Sequence, residues 1–176
     1  MEGTIRNGQV FVNLYRMSIE RLKELEENAE LLEELMESED NTNLDIDKSW
    51  DGVHYLLTGR RFDGKTELAN VILGGEILGG EENADEFDVG YGPPMYILED
   101  EVKSIAKILE KADLAEIKKR FEPTKFAKLN IYPFDDNDIS RVTEQDLDYF
   151  MSYLKDVINF YQVASVNNEV IVKTLS

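Results

Sequence analysis

The sequence predicts an α+β fold: a small mixed or antiparallel sheet that includes the N- and C-terminal strands, packed with several helices. Three observations carry that expectation. Val10-Phe11-Val12-Asn13-Leu14-Tyr15-Arg16 and Glu169-Val170-Ile171-Val172-Lys173-Thr174-Leu175 are rich in the β-branched and aromatic residues that suit a pleated surface. Between them, apolar residues recur mainly at intervals of three and four, the period of a helix with one buried face. Hydrophobic residues make up 42% of the 176, enough to bury a substantial core. No linker interrupts the chain, so residues 1–176 are read as a single domain.

Each helix announces itself by its ends. Ser18 is placed to cap a helix carrying Ile19, Leu22 and Leu25, and Asn28 a second one carrying Leu31, Leu32, Leu35 and Met36. A further helix runs from about Lys48 to Thr58, with Asp47 as its cap and Gly59 as its stop. The glycine-rich middle is irregular: Leu68 to Leu73 fits a helical turn or a strand, and Gly90-Tyr91-Gly92-Pro93-Pro94 excludes regular structure. Met95-Tyr96-Ile97-Leu98 then reads as a short strand. Val102, Ile105, Ala106, Ile108 and Leu109 mark a helix, and Asp113 caps another that ends before Pro123. Thr143 and Asp146 have the spacing of a capping box, opening a long helix to about Val166. One stripe of that helix runs through Leu147, Phe150, Met151, Leu154, Val157, Ile158, Tyr161 and Ala164. A second, with Tyr149, Tyr153 and Phe160, either packs inside the molecule or forms an oligomer interface.

Charge narrows the function classes. Acidic residues number 37 against 19 basic, a net of −18. Such a chain repels phosphate backbones and anionic membrane surfaces, so neither nucleic acid nor membrane is expected as a partner. The densest basic stretch, Lys118-Lys119-Arg120 with Lys125 and Lys128, is interrupted by Glu116 and Glu122 and reads as a solvated helix end. The acidic runs at Glu81-Glu82, Asp85-Glu86-Phe87-Asp88 and Asp135-Asp136-Asn137-Asp138 read either as solvated loops or as a docking surface for a basic protein. Without cysteine there is no disulfide, thiolate metal site or cysteine nucleophile. The start of the chain has no apolar leader and no stretch reaches bilayer length, so a cytoplasmic protein is expected.

One segment is distinctive. Leu44-Asp45-Ile46-Asp47-Lys48-Ser49-Trp50-Asp51-Gly52-Val53-His54-Tyr55-Leu56-Leu57-Thr58-Gly59 resembles the central signature of the YfbM-like family of uncharacterised bacterial proteins. In that family an Asp-Lys-Ala-Trp run leads into a Gly-hydrophobic-His segment and a Leu-Leu-Thr-Gly end. Val71-Ile72-Leu73-Gly74-Gly75-Glu76, Gly90-Tyr91-Gly92-Pro93 and Ile131-Tyr132-Pro133 match further blocks in the same order. Asp51 is a departure, standing where the family is expected to carry another histidine. The resemblance implies an α+β domain, mostly bacterial and cytosolic, and carries no activity with it.

Read as a helix, the signature puts Asp47, Asp51, His54 and Thr58 on one strip, each three or four residues from the next. Trp50, Val53 and Leu57 fall on the adjacent strip and enter the core. His54, the only histidine, is thus expected at the boundary between buried and wet, where a neighbouring carboxylate suits it to acid–base work. The competing reading is a boundary histidine with a structural contact to Trp50. Weak catalytic candidates are therefore His54 and Asp51. Trp50, His54, Asp47, Tyr91 and Tyr132 are the candidate ligand-binding residues, with the Gly-Tyr-Gly-Pro loop as rim.

Other motifs fail on chemistry. Asp45-x-Asp47-x-Ser49-x-Asp51 alternates oxygens as a calcium loop does, but Trp50 stands where glycine is needed and Leu56 where the bidentate glutamate belongs. Leu73-Gly74-Gly75-Glu76 and Leu78-Gly79-Gly80-Glu81 repeat each other, yet neither leads into the Gly-Lys-Ser/Thr of a phosphate loop. No metal and no cofactor is expected. Two functions remain: a protein-binding, inhibitor- or immunity-like module with an acidic surface, or a small-molecule-binding protein or hydrolytic enzyme with a site around His54 and Trp50.

Overall fold

Strand β5, Val170–Leu175, is buried along nearly its whole length, and that sets the architecture. In the computed structural model, which describes residues 8–61 and 66–176, it is the middle of five strands. The others are β1 (Val12–Met17), β2 (Asn43–Asp45), β3 (Glu76–Ile77) and β4 (Met95–Ile97). Their order is β2-β1-β5-β4-β3, and each neighbouring pair is antiparallel. Strands β1 and β5 thus lie side by side at the centre, with Leu14 opposite Lys173 and Tyr15 opposite Val172.

Alternation along β1 and β5 divides the core in two. Val12, Leu14 and Ile171 face one layer, with α3 (Trp50–Thr58), α4 (Glu99–Glu110) and α7 (Glu144–Val166). Tyr15, Met17, Val170 and Val172 face the other, with α1 (Ile19–Glu27), α2 (Glu30–Glu37) and the segment carrying Leu78 and Phe87. A strand covered on both faces must be apolar on both, which is why Val170-Ile171-Val172 does not alternate.

Several helix ends follow the caps expected of them. The Ser18 hydroxyl accepts from the Arg21 N–H at 3.2 Å, and Asp113 accepts from Ala115 and Glu116 to open α5, Leu114–Lys118. The Asp146 carboxylate accepts the Thr143 N–H at 2.7 Å. Gly59 takes φ 70° and returns its N–H to Tyr55 at 2.7 Å, closing α3. Pro123 does more than stop a helix: it opens α6, Pro123–Lys128, because a first-turn residue needs no N–H. Strands β2 and β3 were not expected; two or three residues are too few to show a period.

The second stripe of α7 is taken up largely within the chain. Phe160 is buried, Tyr149 packs edge-on against Phe150 and Tyr153, and the Tyr149 hydroxyl donates to Asp47 Oδ2 at 2.7 Å.

Candidate functional site

The signature helix starts later than its sequence suggests, and Asp47 does not cap it. Asp45 accepts the Asp47 N–H at 2.7 Å, and Asp47 itself adopts φ 52°, the left-handed conformation that Asp and Asn tolerate better than most. A 3-10 turn over Asp47–Ser49 follows, closed by the Ser49 hydroxyl donating to Ile46 O at 2.6 Å. Asp47 instead receives the Tyr149 hydroxyl. Burial, and then that hydrogen bond, raise the Tyr149 phenol well above its ordinary value.

From Trp50 to Leu57 every residue of α3 is buried, so the helix has no wet strip. His54 is 3% exposed. The boundary position expected for it is overturned because α3 is enclosed by other helices: Tyr55 meets Phe126 of α6 edge-on, and Gly52 is pressed against Phe150 of α7 so closely that a Cβ there would collide with the ring. Thr58 donates its hydroxyl to the His54 carbonyl at 2.9 Å.

Asp51 is the most confined charge on α3, with a side chain 0% exposed. Its Oδ2 accepts the Tyr132 N–H at 2.8 Å and faces the Arg61 guanidinium at 3.4 Å, and Arg61 also donates to Leu129 O at 2.6 Å. Burial raises the Asp51 carboxyl above its ordinary value; the Tyr132 N–H and Arg61 oppose that shift. The carboxylate therefore fastens α3 to the Leu129–Tyr132 segment. The residue that departs from the expected histidine thus has a structural task.

The aromatic pair of the signature closes on the chain's own backbone. Trp50 and Tyr132 stack with centroids 5.3 Å apart and planes at 25°. Trp50 Nε1 donates to Val10 O at 3.2 Å, and the Tyr132 hydroxyl accepts the Val10 N–H at 2.9 Å. Both polar groups of Val10 are thereby satisfied. Tyr91 joins none of this. It is 46% exposed in a loop shaped by Asp88, whose carboxylate accepts from Gly90 and Gly92, and that loop packs through Val89 on the opposite face of the sheet. Of the five expected ligand residues, the structure brings Trp50 and Tyr132 into contact, seals His54 nearby, turns Asp47 towards Tyr149 and leaves Tyr91 elsewhere.

An open groove of about 550 Å³ lies at the β3 edge instead, lined by Glu26, Gly75, Glu76, Gly80, Glu81 and Tyr96 among others. The Tyr96 hydroxyl donates to Glu76 Oε2 at 2.9 Å. Burial, followed by hydrogen bonds to Glu76 and Glu26, raises the phenol far above its ordinary value and keeps it protonated. The repeated Leu-Gly-Gly-Glu tetrapeptides build this rim. Leu73 and Leu78 anchor in the two halves of the core, and the four glycines have φ between 76° and 104°. At Gly75 a Cβ would strike the Tyr96 carbonyl, and at Gly79 the Phe87 ring. Each repeat then delivers a glutamate, Glu76 or Glu81, to the groove. The duplication was the signal available in the sequence; Glu26 and Tyr96 join it only through packing.

These features define a class: an antiparallel α+β domain whose signature helix is buried from Trp50 to Leu57 and whose open groove, lined by Glu26, Glu76 and Glu81, sits at the sheet edge. The chain belongs to the domain of unknown function DUF1877, whose family profile matches residues 9–174. Its fold is similar to the crystal structure of YfbM from Escherichia coli, a protein of unknown function. The TM-score is 0.69 at 20% identity, over 94% of this chain and 99% of that one. No curated protein matches the chain. Among the described residues, no helix is long and apolar enough to cross a membrane, and no group of three or more His, Cys, Asp or Glu is placed to hold a metal ion.

Proposed function

We propose that this chain is a binding module that takes a cationic segment of a basic protein at the groove around Tyr96. The observation that supports this reading is the groove itself: Glu26, Glu76 and Glu81 converge beside a phenol that stays neutral, on a chain of net charge −18. Carboxylates ranged along an open groove attract ammonium or guanidinium groups at long range and accept their hydrogen bonds at short range. The Gly-Gly turns shape the lip without long side chains to order on binding.

A small-molecule or hydrolytic site around His54 and Trp50 has less support, since His54 lies in the core and Trp50 and Tyr132 already hold Val10. The test is calorimetric titration of the whole chain with a lysine- and arginine-rich peptide at low and high salt, repeated with Glu76→Gln combined with Glu81→Gln. Binding that weakens with salt and falls at least about tenfold in the double variant supports the reading. Equal binding by the double variant overturns it.

A further inference from the structure

Strand β5 carries a charged residue where its two packed faces call for apolar ones. Lys173 lies on the α4–α7 side, in register with Leu14 of β1 and Met95 of β4, and is 2% exposed. Its Nζ donates to the Asn70 carbonyl at 2.6 Å. Asn70 is gripped from the helical layer as well: its Nδ2 donates to Glu101 Oε1 of α4 at 2.6 Å, and the Tyr161 hydroxyl of α7 donates to the neighbouring Val71 carbonyl at 2.6 Å. A Cβ on Gly74 would meet Asn70 Oδ1 at 2.6 Å, so the chain folds back tightly over this cluster. One amine is therefore tied to the end of the Glu67–Asn70 turn, and that turn continues through Gly74-Gly75 into the groove lip at Glu76.

Burying an ammonium costs far more than burying a neutral amine, and an ammonium brings three donors to a place that offers it the Asn70 carbonyl. The cheapest relief is for the segment above it to lift and admit water. We propose that Lys173 is a proton-sensitive latch: as a neutral amine it holds the segment from Glu67 to Glu76 against the helical layer, and on protonation it lets that segment open.

The surroundings fit this role. Glu101 is the acidic group facing the cluster from α4, and it favours the charged amine; the Tyr161 phenol facing it from α7 is kept neutral by burial. Leu14 and Met95, from the strands on either side, are uncharged. Burial outweighs Glu101 and lowers the Lys173 amine to about 7. In the open segment it regains its ordinary value of 10.5. Between those two values the open form binds more protons than the closed one. Opening therefore becomes easier as pH falls through that window and levels off below about 7.

The latch is read without any ligand, so its failure is separate from that of the groove. Amide hydrogen exchange of the whole chain, corrected for intrinsic rates, is measured from pH 6.5 to 9.5. The amides of Ala69 and Val71, which donate to Thr66 and Leu68, are expected to gain protection relative to α7 by up to about tenfold per pH unit above 7. In Lys173→Met the protection of these amides no longer changes with pH. An unchanged slope in that variant, or no slope in the wild-type chain, overturns the proposal. If Lys173→Met does not fold, the Lys173 side-chain resonances of the wild-type chain are titrated directly. A midpoint near 7 that coincides with the onset of the exchange slope supports the latch, and one near 10.5 overturns it.

Discussion

Helix α3 and the groove around Tyr96 both set carboxylates beside aromatic rings, and they use them in opposite ways. On α3 the carboxylate of Asp51 is fully covered, facing a backbone N–H and a guanidinium, while the rings of Trp50 and Tyr132 grip Val10. At the groove, Glu76 and Glu81 are exposed, and of the two the hydrogen bond to Tyr96 engages only Glu76. The first arrangement binds the chain to itself; the second leaves charge available to something else. A distinctive run of titratable and aromatic residues is therefore not evidence of chemistry until the packing leaves it within reach of solvent.

That contrast is easily broken if wrong. Asp51→Ala removes the covered partner of an ion pair whose Arg61 end is about a third exposed and strands the Tyr132 N–H, and is expected to cost about 1–3 kcal/mol by urea denaturation. Asp51→Asn, which keeps an acceptor for that N–H, should cost clearly less. A loss below about 1 kcal/mol in the alanine variant would mean that Asp51 is not a fastener. Gly52→Ala comes next: driving a methyl into the Phe150 ring should destabilise by about 1–3 kcal/mol, or shift the near-ultraviolet signal of the aromatic cluster as α3 moves away.

Tyr132→Phe keeps the stack on Trp50 but deprives the Val10 N–H of its acceptor, for about 0.5–1.5 kcal/mol. The single tryptophan reports whether the clasp loosens, by a red shift of its emission. The smallest stability effect belongs to the groove. Glu76→Gln retains an acceptor for Tyr96 and should stay within about 0.5 kcal/mol of wild type, while weakening the salt-sensitive binding of a basic peptide. A groove substitution that unfolds the protein without touching binding would erase the contrast between the two regions.

Much of this molecule is legible in order along the chain, and the reason is local. Ser18, Asp113, the Thr143–Asp146 pair and Gly59 act on backbone groups within about four residues, so sequence spacing alone determines where those helices begin and end. The strand character of Val10–Arg16 and Glu169–Leu175 is likewise a property of their own side chains, and so is the acidic balance. What surrounds a side chain is not local. Whether His54 is wet depends on Phe150, nearly a hundred residues later, closing over Gly52; whether Lys173 sits in water or against Asn70 depends on a turn a hundred residues earlier. The duplicated Leu-Gly-Gly-Glu becomes a groove only when α1 brings Glu26 beside it and β4 carries Tyr96 alongside Glu76. Sequence alone determined the longer elements and the charge of this protein. Tertiary structure alone decided which of its charges are enclosed, because enclosure is a property of the distant segments that meet around a group.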